Sequence, residues 1–229
     1  MSRLRELTGK GRFRLMVSLP KNRVDLALAA VEAGAEILKV HLNCHHFASD
    51  TRFGSWRDEQ PVLRKILDAV QVPVGIVTGE ETQPSAAEWA ELADFGFDFW
   101  DLFARSTAPG CFEVPRLGRM VAVDDSWTAE MVQDMVKLGV DVFEASIIPR
   151  SQYRTTLNLV DLTRYAALSR AAGVPIMVPS QKAVRPDEVG WLRRVGASGI
   201  TIGAIVTGLE LESLREATAS FRAAIDALD

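Results

Sequence analysis

The sequence lacks most of the features that mark secreted, membrane-bound and nucleic-acid-binding proteins. Its 229 residues include only two cysteines, Cys44 and Cys111, which are too few for a disulfide framework. The net charge is −4, whereas binding to nucleic acid or to an anionic membrane surface requires a basic patch. No apolar run approaches the roughly 20 residues of a membrane span. We therefore expect neither a nucleic acid nor a membrane as partner.

We expect neither a targeting segment nor a domain linker in this sequence. Residues 1–14 are charged and contain no apolar stretch of the kind found in signal peptides, which predicts a cytoplasmic protein with reduced thiols. The hydrophobic content of 48% and charged content of 24% are ordinary for a globular protein. Because no shift in composition divides the chain, we expect one domain spanning residues 1–229.

What the chain does contain is one unit repeated along its length: a short β-branched run, a polar loop and an amphipathic segment. The predicted strands are 14–19, 36–43, 73–79, 97–103, 119–125, 141–148, 175–180 and 199–205. The predicted helices are 21–34, 58–70, 84–95, 127–138, 159–172, 186–195 and 211–228. In the fourth unit, near 111–118, Pro115 predicts only a short or distorted turn.

Eight units of about 28 residues are the pattern of a (β/α)8 TIM barrel, which is an α/β fold. An open doubly wound sheet is the alternative, but such sheets usually stop at about five to seven strands. In a closed barrel one face of each strand meets the helices and the other meets the interior. The active site then lies at the carboxyl ends of the strands.

The predicted second strand carries charge on one of its faces. Its two faces are Leu38, Val40 and Leu42 on one side and Lys39, His41 and Asn43 on the other. An unpaired charge in an apolar core is costly, so the polar face should line a polar barrel interior. We expect Lys39 near the catalytic mouth, with His41 and Asn43 binding substrate hydroxyls.

The sixth strand shows the same alternation and turns Glu144 and Ser146 inward. Interior layers take their side chains from alternate strands, so Lys39 and Glu144 are predicted to face each other. Either Trp100 or Asp101 of the fourth strand joins them, and Asp101 is a candidate substrate-binding residue. The pair is either a purely structural ion pair or a proton-transfer site. In the second case Lys39 is an acid/base or an enolate stabiliser and Glu144 its partner.

Two further groups of residues are candidates for the same mouth. Asp124 and Asp125 end the fifth strand, where one should face the mouth and the other, or Ser126, can cap the helix that follows; Asp124 is the third catalytic candidate. His41, His45 and His46 could bind a divalent metal, but their spacing matches no metal motif and we predict no metal. The long loop after the second strand is better interpreted as a lid over the pocket.

The last quarter of the chain suggests a phosphate site. Barrel enzymes often bind phosphate with the loops after strands seven and eight, where small residues expose backbone amides. The candidate residues are Ser180, Gln181, Gly203 and Ala204. The glycines could alternatively serve only strand packing. Lys182 is a candidate ligand for phosphate or carbonyl, or else a solvated loop lysine.

Residues 119–208 resemble the ribulose-phosphate-binding group of barrels, and within it N-acetylmannosamine-6-phosphate 2-epimerase. The phrases that carry the resemblance are "RMVAVDDSWTAEMVQDMVKLGVDVFEAS", "GVPIMVPSQKAVRPDEV" and "GASGITIGAIVTG". The resemblance implies a phosphate-binding barrel. The catalytic lysine and glutamate expected of the epimerase are absent, because Thr78 and Ser180–Gln181 stand at those positions. That epimerase activity is therefore not predicted.

These patterns predict an enzyme that acts on a small phosphorylated, sugar-like metabolite by abstracting a proton next to a carbonyl, as an isomerase, epimerase or lyase of carbohydrate metabolism. Two alternatives remain: a non-catalytic barrel that binds a phosphometabolite, and a metal-dependent hydrolase or lyase that uses the three histidines. No cofactor is predicted, and a homodimer is left open.

Overall fold

In the part of the chain that the structure describes, eight parallel strands close into a barrel and follow one another around it in chain order. The structure is a computed structural model and describes residues 2–9, 11–79, 82–114 and 116–228. The strands are β1 (Arg14–Ser18), β2 (Ile37–Leu42), β3 (Val74–Thr78), β4 (Phe99–Phe103), β5 (Gly118–Val123), β6 (Val142–Ala145), β7 (Ile176–Pro179) and β8 (Gly199–Ile202). Arg14 pairs with Gly199, which closes the ring between β1 and β8. The predicted (β/α)8 TIM barrel is confirmed.

The strands alternate with helices that cover the outside of the barrel. The α-helices are α1 (Arg3–Thr8), α2 (Val24–Glu32), α3 (Trp56–Ala69), α4 (Ala86–Phe95), α5 (Ala129–Lys137), α6 (Leu159–Ala172), α7 (Val189–Arg194), α8 (Ala204–Thr207) and α9 (Leu211–Asp226). Short 3-10 helices lie at Ala104–Ser106, Pro109–Glu113, Arg150–Gln152 and Pro186–Glu188. The seven predicted helices are confirmed.

Three details differ from the sequence prediction. The segments that form α1 and α8 were not predicted to be helical, and two strands are shorter than predicted: the sixth ends at Ala145 rather than at residue 148, and the eighth ends at Ile202 rather than at residue 205. The fourth unit has two 3-10 helices in place of an α-helix, which agrees with a short turn there. Pro115, which motivated that prediction, lies outside the described residues.

Local sequence signals explain where several helices begin and end. Ser85 and Asn158 accept hydrogen bonds from backbone amides of the first turns of α4 and α6 and form capping boxes there. Gly96 and Gly173 follow these helices with φ of 113° and 61°, a conformation that glycine adopts without steric penalty. The glycine that recurs after the predicted helices is thus a helix stop.

The barrel interior is apolar at the amino ends of the strands and polar at their carboxyl ends. The apolar floor consists of Leu4, Met16, Ile37, Phe99, Met120, Val142 and Met177. Leu4 comes from α1, so this short helix closes the bottom of the barrel. Leu38, Val40 and Leu42 pack in the separate outer core between barrel and helices, as predicted. Above this floor, the interior is lined by the polar residues at the carboxyl ends of the strands.

The loop after β2 folds into a small antiparallel hairpin that pairs His45–His46 with Thr51–Arg52. We call residues 44–53 the lid. The helices in the described ranges include none that is both long enough and apolar enough to cross a membrane.

Candidate active site

A cavity of about 180 Å³ opens at the carboxyl ends of the strands. Its lining includes residues from several different strands, the lid and the loops after β6 to β8. The polar side chains that line it are Ser18, Lys39, His41, His45, His46, Thr78, Asp101, Glu144, Ser146, Arg150, Tyr153, Ser180, Gln181 and Thr201. Typical pockets for drug-sized ligands begin at roughly 300 Å³, so this cavity suits a small metabolite.

Lys39 lies at the base of this cavity and bridges two carboxylates. Its Nζ donates to Oδ2 of Asp101 at 2.6 Å and to Oε1 of Glu144 at 2.5 Å. All three side chains are at least nine-tenths buried. The prediction that Lys39 and Glu144 face each other is confirmed. Asp101, not Trp100, completes the cluster, because Trp100 packs in the outer core.

The cluster holds one cation and two carboxyl groups, and this balance sets its protonation. Burial alone would lower the pKa of Lys39, but the two carboxylates together raise it above its ordinary value. Burial and the charge of Glu144 raise the pKa of Asp101 to about 7, although Lys39 opposes this shift. Lys39 is therefore a charged ammonium at neutral pH, and Asp101 exchanges a proton near neutrality.

The two carboxyl groups differ in their remaining hydrogen bonds. The second oxygen of Glu144 accepts from the Ser146 hydroxyl at 3.3 Å. Oδ1 of Asp101 is buried and has no hydrogen-bond partner among the described residues. A buried carboxylate oxygen without a donor is costly, so Asp101 is the carboxyl group in this cluster with an unused hydrogen-bond acceptor.

His41 forms one wall of the cavity as a neutral aromatic ring. It stacks on Phe53 with ring centroids 4.7 Å apart, and His46 lies at the same distance on a tilted plane. Burial, with His46 and Lys39 nearby, lowers the pKa of His41 well below its usual range. Its Nε2 lies 3.4 Å from Oγ of Ser18. His41 can therefore hydrogen-bond a ligand but carries no charge at neutral pH.

The lid closes over the cavity by contacts with the loop that follows β6. Phe47 packs edge-on against Tyr153 at 5.6 Å between ring centroids, and the Arg150 guanidinium lies 5.1 Å from the Phe47 ring. Arg154 donates a hydrogen bond to the carbonyl of Ala48 at 2.8 Å. The prediction of a lid fits these contacts.

The loops after β7 and β8 meet at the side of the cavity. The amide of Gly203 donates to Oγ of Ser180 at 3.0 Å, and both residues line the cavity. Gly203 precedes α8, and its carbonyl accepts from the amides of Val206 and Thr207, so the Ala204 and Ile205 amides are the ones in this turn with no acceptor among the described residues. Ala204 opens α8 but is not among the described lining residues, whereas Ile205 is. This arrangement can offer a hydroxyl and backbone amides to an anion.

Gln181 also lines the cavity, but its side-chain amide is already engaged by protein. Its Oε1 accepts from the Ile148 amide at 3.1 Å, and its Nε2 donates to the Tyr153 hydroxyl at 2.5 Å. Direct binding of phosphate by the Gln181 side chain, as predicted, would require breaking these bonds.

Besides Ala204, three predicted site residues lie outside the described cavity lining, each for a physical reason. Asp124 pairs with Arg105 at 2.6 Å and accepts from Ser126, so its carboxylate is held in the loop after β5. Lys182 is buried against Asp161 at 3.2 Å and is therefore neither a mouth residue nor a solvated lysine. Asn43 adopts φ of 53° and turns the chain into the lid.

The helix cap predicted for Ser126 is also wrong. Thr128 caps α5, because its hydroxyl accepts from the Met131 amide at 3.2 Å.

Although the His41 and His46 rings lie 4.7 Å apart, the ring nitrogens of the three histidines contact different partners. His45 pairs with Asp50 at 2.7 Å, His46 with Ser49 at 2.7 Å, and His41 points to Ser18. Among the described residues no group of three or more His, Cys, Asp or Glu side chains is arranged to hold a metal ion. The geometry therefore gives no support to the metal-dependent alternative.

Five polar lining residues were not predicted from the sequence: Ser18, Thr78, Arg150, Tyr153 and Thr201. Ser18, Thr78 and Thr201 lie on strands, where the same alternation that identified Lys39 would have found them. Arg150 and Tyr153 lie in an irregular loop, where no periodicity indicates the direction of a side chain.

Solved structures of several enzymes share this fold. Tryptophan synthase from Mycobacterium tuberculosis has a TM-score of 0.75 and 17% sequence identity, covering 98% of this chain and 98% of that chain. Phosphoribosyl anthranilate isomerase from Thermus thermophilus has a TM-score of 0.68 and 15% identity, covering 95% and 100%. Thiamine phosphate pyrophosphorylase from Pyrococcus furiosus has a TM-score of 0.67 and 15% identity, covering 99% of both chains.

At these identities the likeness shows the fold, which is the (β/α)8 barrel already evident from the strand order. No protein-family model and no curated protein matches the sequence. These comparisons do not show the resemblance to N-acetylmannosamine-6-phosphate 2-epimerase.

Proposed function

We propose that this chain is an enzyme that moves a proton next to a carbonyl in a small phosphorylated, sugar-like metabolite, as an isomerase, epimerase or lyase. The observation that carries the proposal is the Asp101 carboxyl group. It lines a cavity, has one oxygen without a hydrogen-bond partner among the described residues, and has a pKa of about 7. A general base is most effective when its pKa lies near the working pH.

The neighbours of Asp101 supply the other parts of such a reaction. Asp101 would take a proton from the carbon beside the carbonyl, and the electron pair would move onto the carbonyl oxygen. Lys39 has three N–H donors and uses two of them on Asp101 and Glu144, so the third can stabilise that oxygen. Glu144 would hold Lys39 in place. The raised pKa of Lys39 disfavours a Schiff base, which needs the neutral amine.

Three features support a phosphorylated substrate. Ser180 and Gly203 present a hydroxyl and a small residue at the start of α8, and Arg150 adds a positive charge to the same cavity. Two of the structural neighbours are named for phosphate esters, thiamine phosphate and phosphoribosyl anthranilate. The Asp124 and Lys182 side chains have no part in this proposal.

The test is exchange of carbon-bound hydrogen for deuterium. Phosphorylated aldoses and ketoses would be incubated with the protein in D₂O and followed by proton NMR. We expect the wild type to exchange the hydrogen next to the carbonyl of at least one compound, and Asp101→Asn to lose roughly 100-fold or more of that rate. Binding without exchange in the wild type would support a non-catalytic barrel instead.

The proposed phosphate site is tested separately, with two variants of Gly203. A Cβ at Gly203 would lie 3.5 Å from Ser18 in ordinary contact, so Gly203→Ala and Gly203→Glu should both fold. Gly203→Glu places a carboxylate at the anion site and should abolish binding of inorganic phosphate in calorimetry. Gly203→Ala should retain it. Equal binding by both variants would remove the phosphate site from the proposal.

A further inference from the structure

The Tyr153 hydroxyl occupies an unusual position at the cavity. Tyr153 is half-buried and lines the cavity, and its ring is held edge-on by Phe47 of the lid. Its oxygen lies 2.5 Å from Nε2 of Gln181, which is buried. A tyrosine hydroxyl can both donate and accept, so the direction of this hydrogen bond decides what Tyr153 can offer to a ligand.

That direction follows from the other end of the Gln181 amide. The backbone amide of Ile148 is buried and lies 3.1 Å from Oε1 of Gln181. A backbone N–H can only donate, so the group that faces it must be the amide oxygen of Gln181. Exchanging the oxygen and nitrogen of this side chain would set two donors against each other and leave a buried donor unsatisfied.

With its oxygen turned to Ile148, Gln181 must present its NH₂ group to Tyr153. The Tyr153 oxygen then accepts, and its own proton is free to point away from Gln181. Burial raises the pKa of Tyr153, so the hydroxyl keeps that proton at neutral pH. A glutamate at position 181 has no NH₂ group and therefore could not donate a hydrogen bond to Tyr153.

We propose that Tyr153 is a hydrogen-bond donor to an oxygen of the bound substrate and that Gln181 is the positioning residue that fixes it as a donor. The identification of that oxygen as the carbonyl or enolate oxygen rests on the proposed function. The direction of the Gln181–Tyr153 bond does not rest on it. Tyr153 and Lys39 would then share the stabilisation of the charge that Asp101 creates.

The direction can be tested without a substrate by ultraviolet titration of the phenol. The chain has two tyrosines, Tyr153 and Tyr165, so the difference between wild type and Tyr153→Phe isolates the absorbance of the Tyr153 phenolate. In Gln181→Glu the carboxylate accepts the Tyr153 proton and repels the phenolate. We expect Tyr153 to titrate at higher pH than in the wild type. The added charge raises the midpoint whichever way the wild-type bond runs, so this variant tests the contact between the two side chains, and an unchanged or lower midpoint would overturn that contact.

A second variant decides the direction of the bond, because loss of a donor to Tyr153 raises the titration midpoint whereas loss of an acceptor would lower it. Gln181→Met removes the donor to Tyr153 without adding charge. The phenolate loses a stabilising hydrogen bond, so we again expect a higher titration midpoint, by a smaller amount. Circular dichroism at each pH shows whether the barrel is intact. No shift in folded Gln181→Met would also overturn the inference.

The donor role is tested with two probes in calorimetry, 2-phosphoglycolate and inorganic phosphate. The carboxylate of 2-phosphoglycolate resembles the charged oxygens of an enediolate, whereas inorganic phosphate has no such group. We expect Tyr153→Phe to weaken 2-phosphoglycolate binding about tenfold and to leave phosphate binding unchanged. Tyr165→Phe is the matched control, because the Tyr165 hydroxyl is buried with no hydrogen-bond partner among the described residues.

The outcomes separate the two proposals. Equal binding of 2-phosphoglycolate by wild type and Tyr153→Phe would overturn the role of Tyr153 and leave the proposed function standing. If the wild type binds neither probe, the proposed phosphate site fails. The direction of the Gln181–Tyr153 bond is then decided by the titration alone.

Discussion

At the scale of single residues, the cluster of Lys39, Asp101 and Glu144 combines stability and chemistry. A buried ammonium beside one carboxylate would be balanced and inert. The second carboxylate leaves one negative charge in excess, and burial together with this excess brings the pKa of Asp101 to about 7. The same arrangement makes Lys39 the residue on which both carboxyl groups depend.

This dependence predicts that Lys39→Met is strongly destabilising. Two buried carboxyl groups would face each other without a cation, a situation that typically costs about 3–5 kcal/mol. The loss should be measured as the free energy of unfolding in urea at pH 7. It should be smaller at pH 5, because carboxyl groups with raised pKa values become protonated and neutral as the pH falls.

Lys137→Met is the control for that change, because the Lys137–Asp134 pair is exposed and should contribute little. Equal stability of Lys39→Met and Lys137→Met at pH 7 would show that the buried cluster does not stabilise the fold.

The sequence is informative about this cluster because strands have a period of two residues. Alternation alone places Lys39 and Glu144 in the interior of the barrel. It could not place Asp124, whose carboxylate is held by Arg105 and Ser126 in a loop with no such period. For the same reason the sequence did not indicate Arg150 and Tyr153, which also lie in a loop without a regular period. The ambiguity between Trp100 and Asp101 was one of register, which packing against the helices resolves.

At the scale of elements, the lid joins the site to the rest of the barrel. The residues on both sides of the lid are linked through Asn22. Its Nδ2 donates to the His41 carbonyl at 2.6 Å and to Glu59, and Glu59 also accepts from the Gly54 amide. The tip of the lid rests on Tyr153 through Phe47.

Phe47→Ala should loosen the lid without unfolding the barrel. The side chain is 51% exposed, so its loss removes little from the core. We expect faster hydrogen exchange confined to residues 44–53, measured by mass spectrometry, because lid opening no longer breaks the contact with Tyr153. Leu138→Ala, at a side chain 70% exposed, should change neither the lid nor the core. Unchanged exchange in Phe47→Ala would show that this contact does not hold the lid.

At the scale of the whole molecule, the barrel depends on a division between an apolar floor and a polar mouth. The repeat of eight units made the fold predictable, because the alternation of strands and helices and the glycines that end the helices can be read directly from the sequence. The contribution of α1 to the floor was not predictable, because its six residues are too few to show a helical period. Leu4 enters the interior only because the strand ends leave room for it.

Gly75 tests how tightly that floor is packed. A Cβ on Gly75 would lie 2.1 Å from the Phe99 ring, which fills the floor. We expect Gly75→Ala to be destabilising by about 1–3 kcal/mol in urea unfolding, as overpacked cores are. Gly190→Ala is the same change inside α7, where the nearest atom is 3.5 Å away, and should be stabilising. The opposite order would contradict the packing described for the barrel floor.

The central claim, that Asp101 is the base of the reaction, is tested most directly by the pH dependence of deuterium exchange. A base acts in its deprotonated form, so the rate should rise with pH, with a midpoint near 7, and then level off. In Glu144→Gln the midpoint should move to lower pH, because the charge that raises the pKa of Asp101 is gone. Asp101→Asn should lose the rising limb altogether. A rate that falls as the pH rises through 7, or an unchanged profile in Asp101→Asn, would contradict the account.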